Sequence, residues 1–146
     1  MDSESYNPLN KAWKNTCKIL LGEEAGDLLE FRDYLKRYTD PLDKRKSILS
    51  GKDVTISSNR IPKNACVIGL EEMNEYQKKT TNMSLNINEI KDIDSIVAAV
   101  REKAFYAGNV VLGNSQHVMD SHRCINTSYA LECQDVYDGK YVAFTT

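Results

Sequence analysis

The segment VLGNSQHVMDSHRCINTSYALECQDVYDGKYVAFTT, Val111–Thr146, decides the fold. Divided into sixes it reads VLGNSQ, HVMDSH, RCINTS, YALECQ, DVYDGK, YVAFTT. Ser115, Ser121, Thr127, Cys133, Gly139 and Thr145 then share one column, and Leu112, Val118, Cys124, Ala130, Val136 and Val142 share another. Such small residues make up roughly a fifth of the chain, so a full column of them arises by chance about once in ten thousand per register, which marks a true repeat. A step of six does not match the 3.6-residue turn of a helix. It matches short strands of about four residues, broken by Asn-Ser, Asp-Ser, Asn-Thr and Asp-Gly corners and stacked about 4.8 Å apart. Small side chains recurring along the tract suit a narrow interior. The spacing leaves two windings open, with about twelve or about eighteen residues per coil.

The period, together with the Asp-Ser, Asn-Thr and Tyr-Val phrasing, carries two resemblances. The tract resembles hexapeptide-repeat β-helices, the left-handed solenoids of many acyltransferases. Those place a small residue two positions before the aliphatic one, whereas here the two lie three positions apart. Over residues 109–146 the chain is similar to uncharacterised six-residue-repeat proteins of large DNA viruses and uncultivated microbes. The resemblance implies a β-solenoid and brings no catalytic residue with it.

Composition bounds the rest. A chain of 146 residues with 41% hydrophobic and 27% charged side chains has the make-up of a globular domain rather than a disordered one. Its net charge of −2 gives no basic footprint for nucleic acid, and the one basic cluster, Asp43–Ser47, reads as a solvated charge run. No window approaches the length of apolar sequence that spans a bilayer, and the opening MDSESYN is acidic rather than signal-like, so a soluble intracellular protein is expected, cytoplasmic or virion-associated. Cys17, Cys66, Cys124 and Cys133 form no zinc spacing and are expected to be reduced thiols that pack as small residues.

Upstream of the repeat, the pattern predicts an α+β head. Leu9, Ala12, Trp13, Thr16, Cys17 and Leu20 form a helical stripe over Leu9–Leu21, closed by Gly22. A second helix is expected over Glu23–Tyr38, with Leu28, Phe31, Leu35 and Tyr38 on its buried face, making a helical hairpin. DVTISS from Asp53 and ACVIGLEE from Ala65 read as strands, Asn74–Asn82 as a loop, and LNINEI from Leu85 as alternating strand. A helix through DIDSIVAAVREKAFYAG, ending at Gly108, is placed to cap the first turn of the array. The domains are thus an α+β head at 1–108 and a short β-solenoid at 109–146.

Chemical motifs are sparse. His117 and His122 fall in variable columns, read as exposed rungs, and together with Asp120 are the one metal or general-base set to consider. SGKD at Ser50 matches only the tail of a phosphate loop, and the glycosylation triplets at Asn82 and Asn126 need a secretory route. No cofactor, nucleic acid or membrane partner is expected. Two classes remain. The first is a non-enzymatic structural or protein-interaction module. Its surface would be the ladder Arg123, Tyr129, Asp135 and Tyr141, together with Val136 and Val142 where the repeat runs on to Thr146 uncapped; its partner would be another copy, a larger assembly such as a virion, or further repeats of a longer protein. The alternative is a hexapeptide-type acyltransferase with its site between subunits.

Overall fold

In the computed structural model, residues 2–81, 88, 90–101 and 104–146 are described. The first helix, α1 (Ser3–Leu21), starts well before its apolar stripe because Asp2 caps it: one carboxylate oxygen accepts the Glu4 amide at 3.2 Å and the other accepts the Ser5 hydroxyl at 2.7 Å. Gly22 ends it in the left-handed region, φ +80, with its N–H on the Lys18 carbonyl at 3.2 Å.

The continuous second helix expected over Glu23–Tyr38 does not form. The chain makes a 3₁₀ turn at Leu28–Phe31, a single α turn, α2 (Arg32–Leu35), and a second 3₁₀ turn at Lys36–Tyr38. Asp27 sets this start: it accepts the Tyr6 hydroxyl, Asn10 Nδ2 at 2.7 Å and the Leu29 amide at 3.1 Å, so the carboxylate caps a turn beginning at Leu28. Leu28 is buried and Trp13 packs on Phe31 with ring centroids 5.3 Å apart, but Tyr38, expected inside, is exposed.

The rest of the head is a small mixed unit. β1 (Leu42–Lys46) and β2 (Asp53–Ser57) form an antiparallel hairpin; β3 (Cys66–Gly69) and β4 (Phe105–Gly108) pair in parallel. Val54, Ile56 and Val67 form its core, with Ile61 against them. The charge run at Asp43–Ser47 is therefore mostly an edge strand, and its side chains pair: Arg45 with Asp43 at 3.1 Å and Lys46 with Asp53 at 2.8 Å. Between β3 and β4 lie α3 (Met73–Thr80) and α4 (Ile93–Arg101). The first replaces the expected loop because Tyr76 buries itself against Phe105, centroids 4.1 Å apart, and Glu75 pairs with Lys79 one turn on. Of the segment expected as one helix, Phe105–Gly108 is strand. Gly108 is required there, since a Cβ would collide with Val54 and lie 2.6 Å from the Thr55 carbonyl oxygen. LNINEI lies largely outside the described residues.

The repeat tract holds β5 (Val111–Leu112), β6 (Gln116–Met119), β7 (His122–Ile125), β8 (Ser128–Leu131), β9 (Gln134–Tyr137) and β10 (Lys140–Ala143). Alternate strands enter alternate parallel sheets, β6–β8–β10 and β5–β7–β9. Gln116 and Lys140 both pair with Ser128, and His122 with Gln134, an offset of twelve residues. The first corner is one residue longer: Val111 pairs with Cys124 and Leu112 with Ile125, because Gly113, φ +65, is inserted. Leu112 therefore belongs in the column of Ile125 and not in that of Cys124, as the division into sixes has it.

The physical reason for the period is in the backbone. From His117 to Phe144 every third residue is left-handed, with φ between +47 and +58. Each such residue costs roughly 1–2 kcal/mol relative to an ordinary conformation, and none of them is β-branched. The small column supplies the compensating bonds. Ser121 donates to the Met119 carbonyl at 2.7 Å and accepts the Cys133 amide at 2.9 Å; Thr127 donates to Ile125 at 3.0 Å, and its own amide reaches Ser115 Oγ at 3.0 Å. The corner amides of Thr127 and Cys133 are thus satisfied by a hydroxyl one layer below. Between the sheets, Cys124, Ala130 and Cys133 are fully buried, with Val118, Val136 and Val142 packed around them. On one outer corner Asn126 Nδ2 donates to Asp138 at 3.1 Å, and Asn126 Oδ1 accepts the Asn114 amide at 3.1 Å.

Head and tract are joined on two sides. α1 lies across β6, β8 and β10, and Leu9 and Leu28 meet Leu131 and Phe144 in a shared core. At the first corner Asn109 takes the Thr55 amide on its Oδ1 at 2.8 Å, its own amide bonds the Thr55 carbonyl at 3.0 Å, and β2 packs on β7. The part of the head against the start of the array is thus β2 and β4, where α4 was expected. Among the described residues no helix is long and apolar enough to cross a membrane.

Candidate interaction surface

Because each step of six changes sheets, the ladder Arg123, Tyr129, Asp135 and Tyr141 is two ladders. On the sheet facing α1, the rings of His117, Tyr129 and Tyr141 stack, with centroids 4.7 and 5.2 Å apart and planes 3° and 16° from parallel. His117 Nδ1 is 3.1 Å from the Ser5 hydroxyl, which ties the bottom of this column to α1. On the opposite sheet, Arg123 Nε pairs with Asp135 at 2.8 Å, and Arg60 of the head reaches the same carboxylate at 3.0 Å. Tyr141 is exposed; Tyr129, Arg123 and Asp135 are half-buried.

The fourth column holds a role that sequence reasoning missed. Asp120 pairs with Lys44 at 2.6 Å; Glu132 is gripped by Arg32 at 2.7 Å and Lys36 at 2.6 Å; Phe144 enters the shared core. Burial works against the charge of Glu132, but the bonds from Arg32 and Lys36 hold its carboxyl below the ordinary range. As sequence, these acids look like corner residues; the usable signal is Phe144 in an otherwise polar column.

At the far end of the stack, β9 and β10 are the outer strands of their sheets, and on the outer side of β9 the Gln134 amide donates to the Thr145 carbonyl at 2.9 Å. Cys124 and Ala130 are fully buried, whereas their counterparts Val136 and Val142 are only partly covered, and Tyr137 and Tyr141 are exposed beside them. A groove of about 440 Å³ opens there, lined by Trp13, Thr16, Leu35, Lys140, Tyr141 and Ala143 among others. The end of α1, Ile19–Leu21, stands exposed next to it, although Leu20 belongs to the expected buried stripe. Three consecutive apolar residues on a helix cannot all face one side, and that signal was legible in CKILLG.

The titratable groups inside the stack are held in neutral forms. Burial pushes the Cys124 thiol up to about 11 and raises that of Cys133, so neither is a nucleophile near neutral pH. All four cysteines are free. His117 and His122 sit on opposite sheets, and among the described residues no group of His, Cys, Asp or Glu is placed to hold a metal ion. His122, expected to be exposed, is buried, and its Nδ1 has no protein partner among the described residues; the neighbouring Gln134 is buried in the same row. Burial first, then the nearby Arg123 and Arg60 charges, lower its pKa against the opposing pull of Asp135.

The unfolded imidazole takes up a proton below about 6.5 while the folded one resists it, so the stability is fully present above that pH and is lost as pH falls below it. Urea midpoints should decline from about pH 6.5 to 5 in the parent chain, before carboxylates titrate, and His122→Gln should flatten that limb. An unchanged slope in the variant would remove His122 as its source.

Comparison with family models, with curated proteins and with solved structures finds no match for this chain.

Proposed function

We propose that the tract is a β-solenoid of twelve-residue coils and that the protein is a non-enzymatic structural module, self-associating through the end formed by β9 and β10. Its place is inside the cell, in the cytoplasm or as part of a larger assembly such as a virion. The observation that carries this reading is the burial along the interior column: Cys124 and Ala130 in mid-stack are sealed, while Val136 and Val142 at the end, like Val118 at the start, are only partly covered, and β9 and β10 are the edge strands that bear them. A free parallel edge over a partly open apolar interior is a template for another strand. A second strand laid along it would cover both the edge and the valines beneath.

The mass in solution, measured by light scattering over a concentration series on the chain as given, tests the proposal. A defined oligomer is expected. A monomer at every concentration up to the millimolar range would sink it.

A further inference from the structure

The mixed unit of β1 to β4 meets the array across a polar joint. Val54, Ile56 and Val67 keep a core of their own, and among the described residues no buried apolar cluster links it to the interior of the stack or to the core under α1. The chain passes between the two bodies at 39–41 and at 109–110. The bonds across the joint are polar: Asn109 with Thr55, Lys44 with Asp120, Arg60 with Asp135, and the Asp40 amide on Thr146 Oγ1 at 2.9 Å.

Two side chains lie sealed inside this joint with nothing to bond. His122 on β7 and Gln134 on β9 face each other in register and are 4% and 0% exposed. Neither His122 Nδ1 nor either end of the Gln134 amide has a partner among the described residues. On the sheet facing α1 the same column holds Gln116 and Lys140, both exposed, and Ser128, half-buried, so it is the head, with β2 packed on β7, that covers His122 and Gln134. Such groups give up hydration with no bond in return, which favours parting the two surfaces. The charges around His122 are Arg123 on its own strand, Asp135 on β9 and Arg60 from the head; both guanidiniums rest on the one Asp135 carboxylate, at 2.8 and 3.0 Å. Asp40 lies 4.0 Å from Arg60; β2 adds only Asp53, which Lys46 takes up, and β5 is uncharged. A proton on His122 sets a third positive charge beside that carboxylate, on a buried ring whose Nδ1 has no acceptor.

We propose that this joint is a pH-gated hinge: protonation of His122 parts β1–β4 from the sheet β5–β7–β9, while α1 stays on the other sheet and the array remains folded. The α1 side holds because Leu9, Leu28, Leu131 and Phe144 join it to the array through an apolar core. The inference does not depend on the association reading above. In the closed joint the ring is neutral; in the open one it titrates near its ordinary value of about 6.5, so the opening constant rises as pH falls below that, by up to tenfold per pH unit.

Residual dipolar couplings of the backbone amides, measured on the dilute chain at pH 7.5 and 5.5, report whether the two bodies share one orientation. In the parent, a single alignment should fit both bodies at pH 7.5, and at pH 5.5 the couplings of β1–β4 should shrink at least twofold relative to those of α1 and β6–β10. His122→Gln should keep that ratio near one at both values. In the parent itself, the His122 ring protons should titrate with the same midpoint as the couplings, which tests the gate even if the variant folds poorly. A single alignment for the parent at both pH values would overturn the hinge. Equal shrinkage in parent and variant, or a ring midpoint apart from that of the couplings, would overturn His122 as its gate. Loss of amide dispersion in both bodies together would show global unfolding in place of a hinge.

Discussion

Leu131→Ala should cost about 2–5 kcal/mol and lower the melting temperature by on the order of 10 °C. Leu131 is fully buried although it points away from the interior of the stack, because it enters the shared core with Leu9, Leu28 and Phe144. Removing it strips contacts from α1, from the turn at Leu28 and from the array at once, and rigid elements on three sides leave little room for collapse. Leu112, exposed on the other sheet, is the control: its truncation should stay within about 0.5 kcal/mol. Denaturant titration measures both. Equal costs at the two sites would mean that α1 does not hold the array as described.

The double variant Val136→Asp/Val142→Asp should abolish association. Within an interface the two carboxylates would lie desolvated and unpaired, a penalty of at least about 3 kcal/mol, or a hundredfold in the dissociation constant. Since both valines also pack in the interior of the single chain, the acids will lower its stability too. Tyr137→Lys/Tyr141→Lys separates the effects. Those side chains are exposed on the same strands, so the lysines should weaken association through charge repulsion, while the lost stacking of Tyr141 on Tyr129 costs the dilute chain only about 0.5–1.5 kcal/mol. Unaltered mass in both double variants would place any association elsewhere on the molecule.

The repeat was legible because its cause is local. A left-handed backbone at every third residue disfavours β-branched side chains there, and the hydroxyls of Ser115 and Ser121 satisfy amides of the next layer, so both columns are printed in the residue types. The pairing offset was not legible, because offsets of twelve and eighteen residues use the same hexads; it is read only from pairs such as His122 with Gln134. Gly113 was read as a regular member of the first hexad, since an inserted corner residue leaves no trace within a single unit. Of the head, α1 and the strands β2 and β3 follow from capping and apolar runs. The broken second helix does not, because Asp27 is drawn away by Tyr6 and Asn10, partners distant in sequence. The interaction residues were found as a ladder but not as two, and the anchoring of Asp120 and Glu132 depends on head residues that no local pattern connects to the repeat.

Amide hydrogen exchange along Gln134–Tyr137 and Lys140–Ala143, followed at rising protein concentration, tests most directly whether these strands pair across a junction. The account predicts that edge-facing amides of β10, and those of β9 other than Gln134, which already bonds Thr145, gain protection as concentration rises, while those of β7 and β8, already paired on both sides, do not change. Exchange at β9 and β10 that is fast and independent of concentration would contradict it.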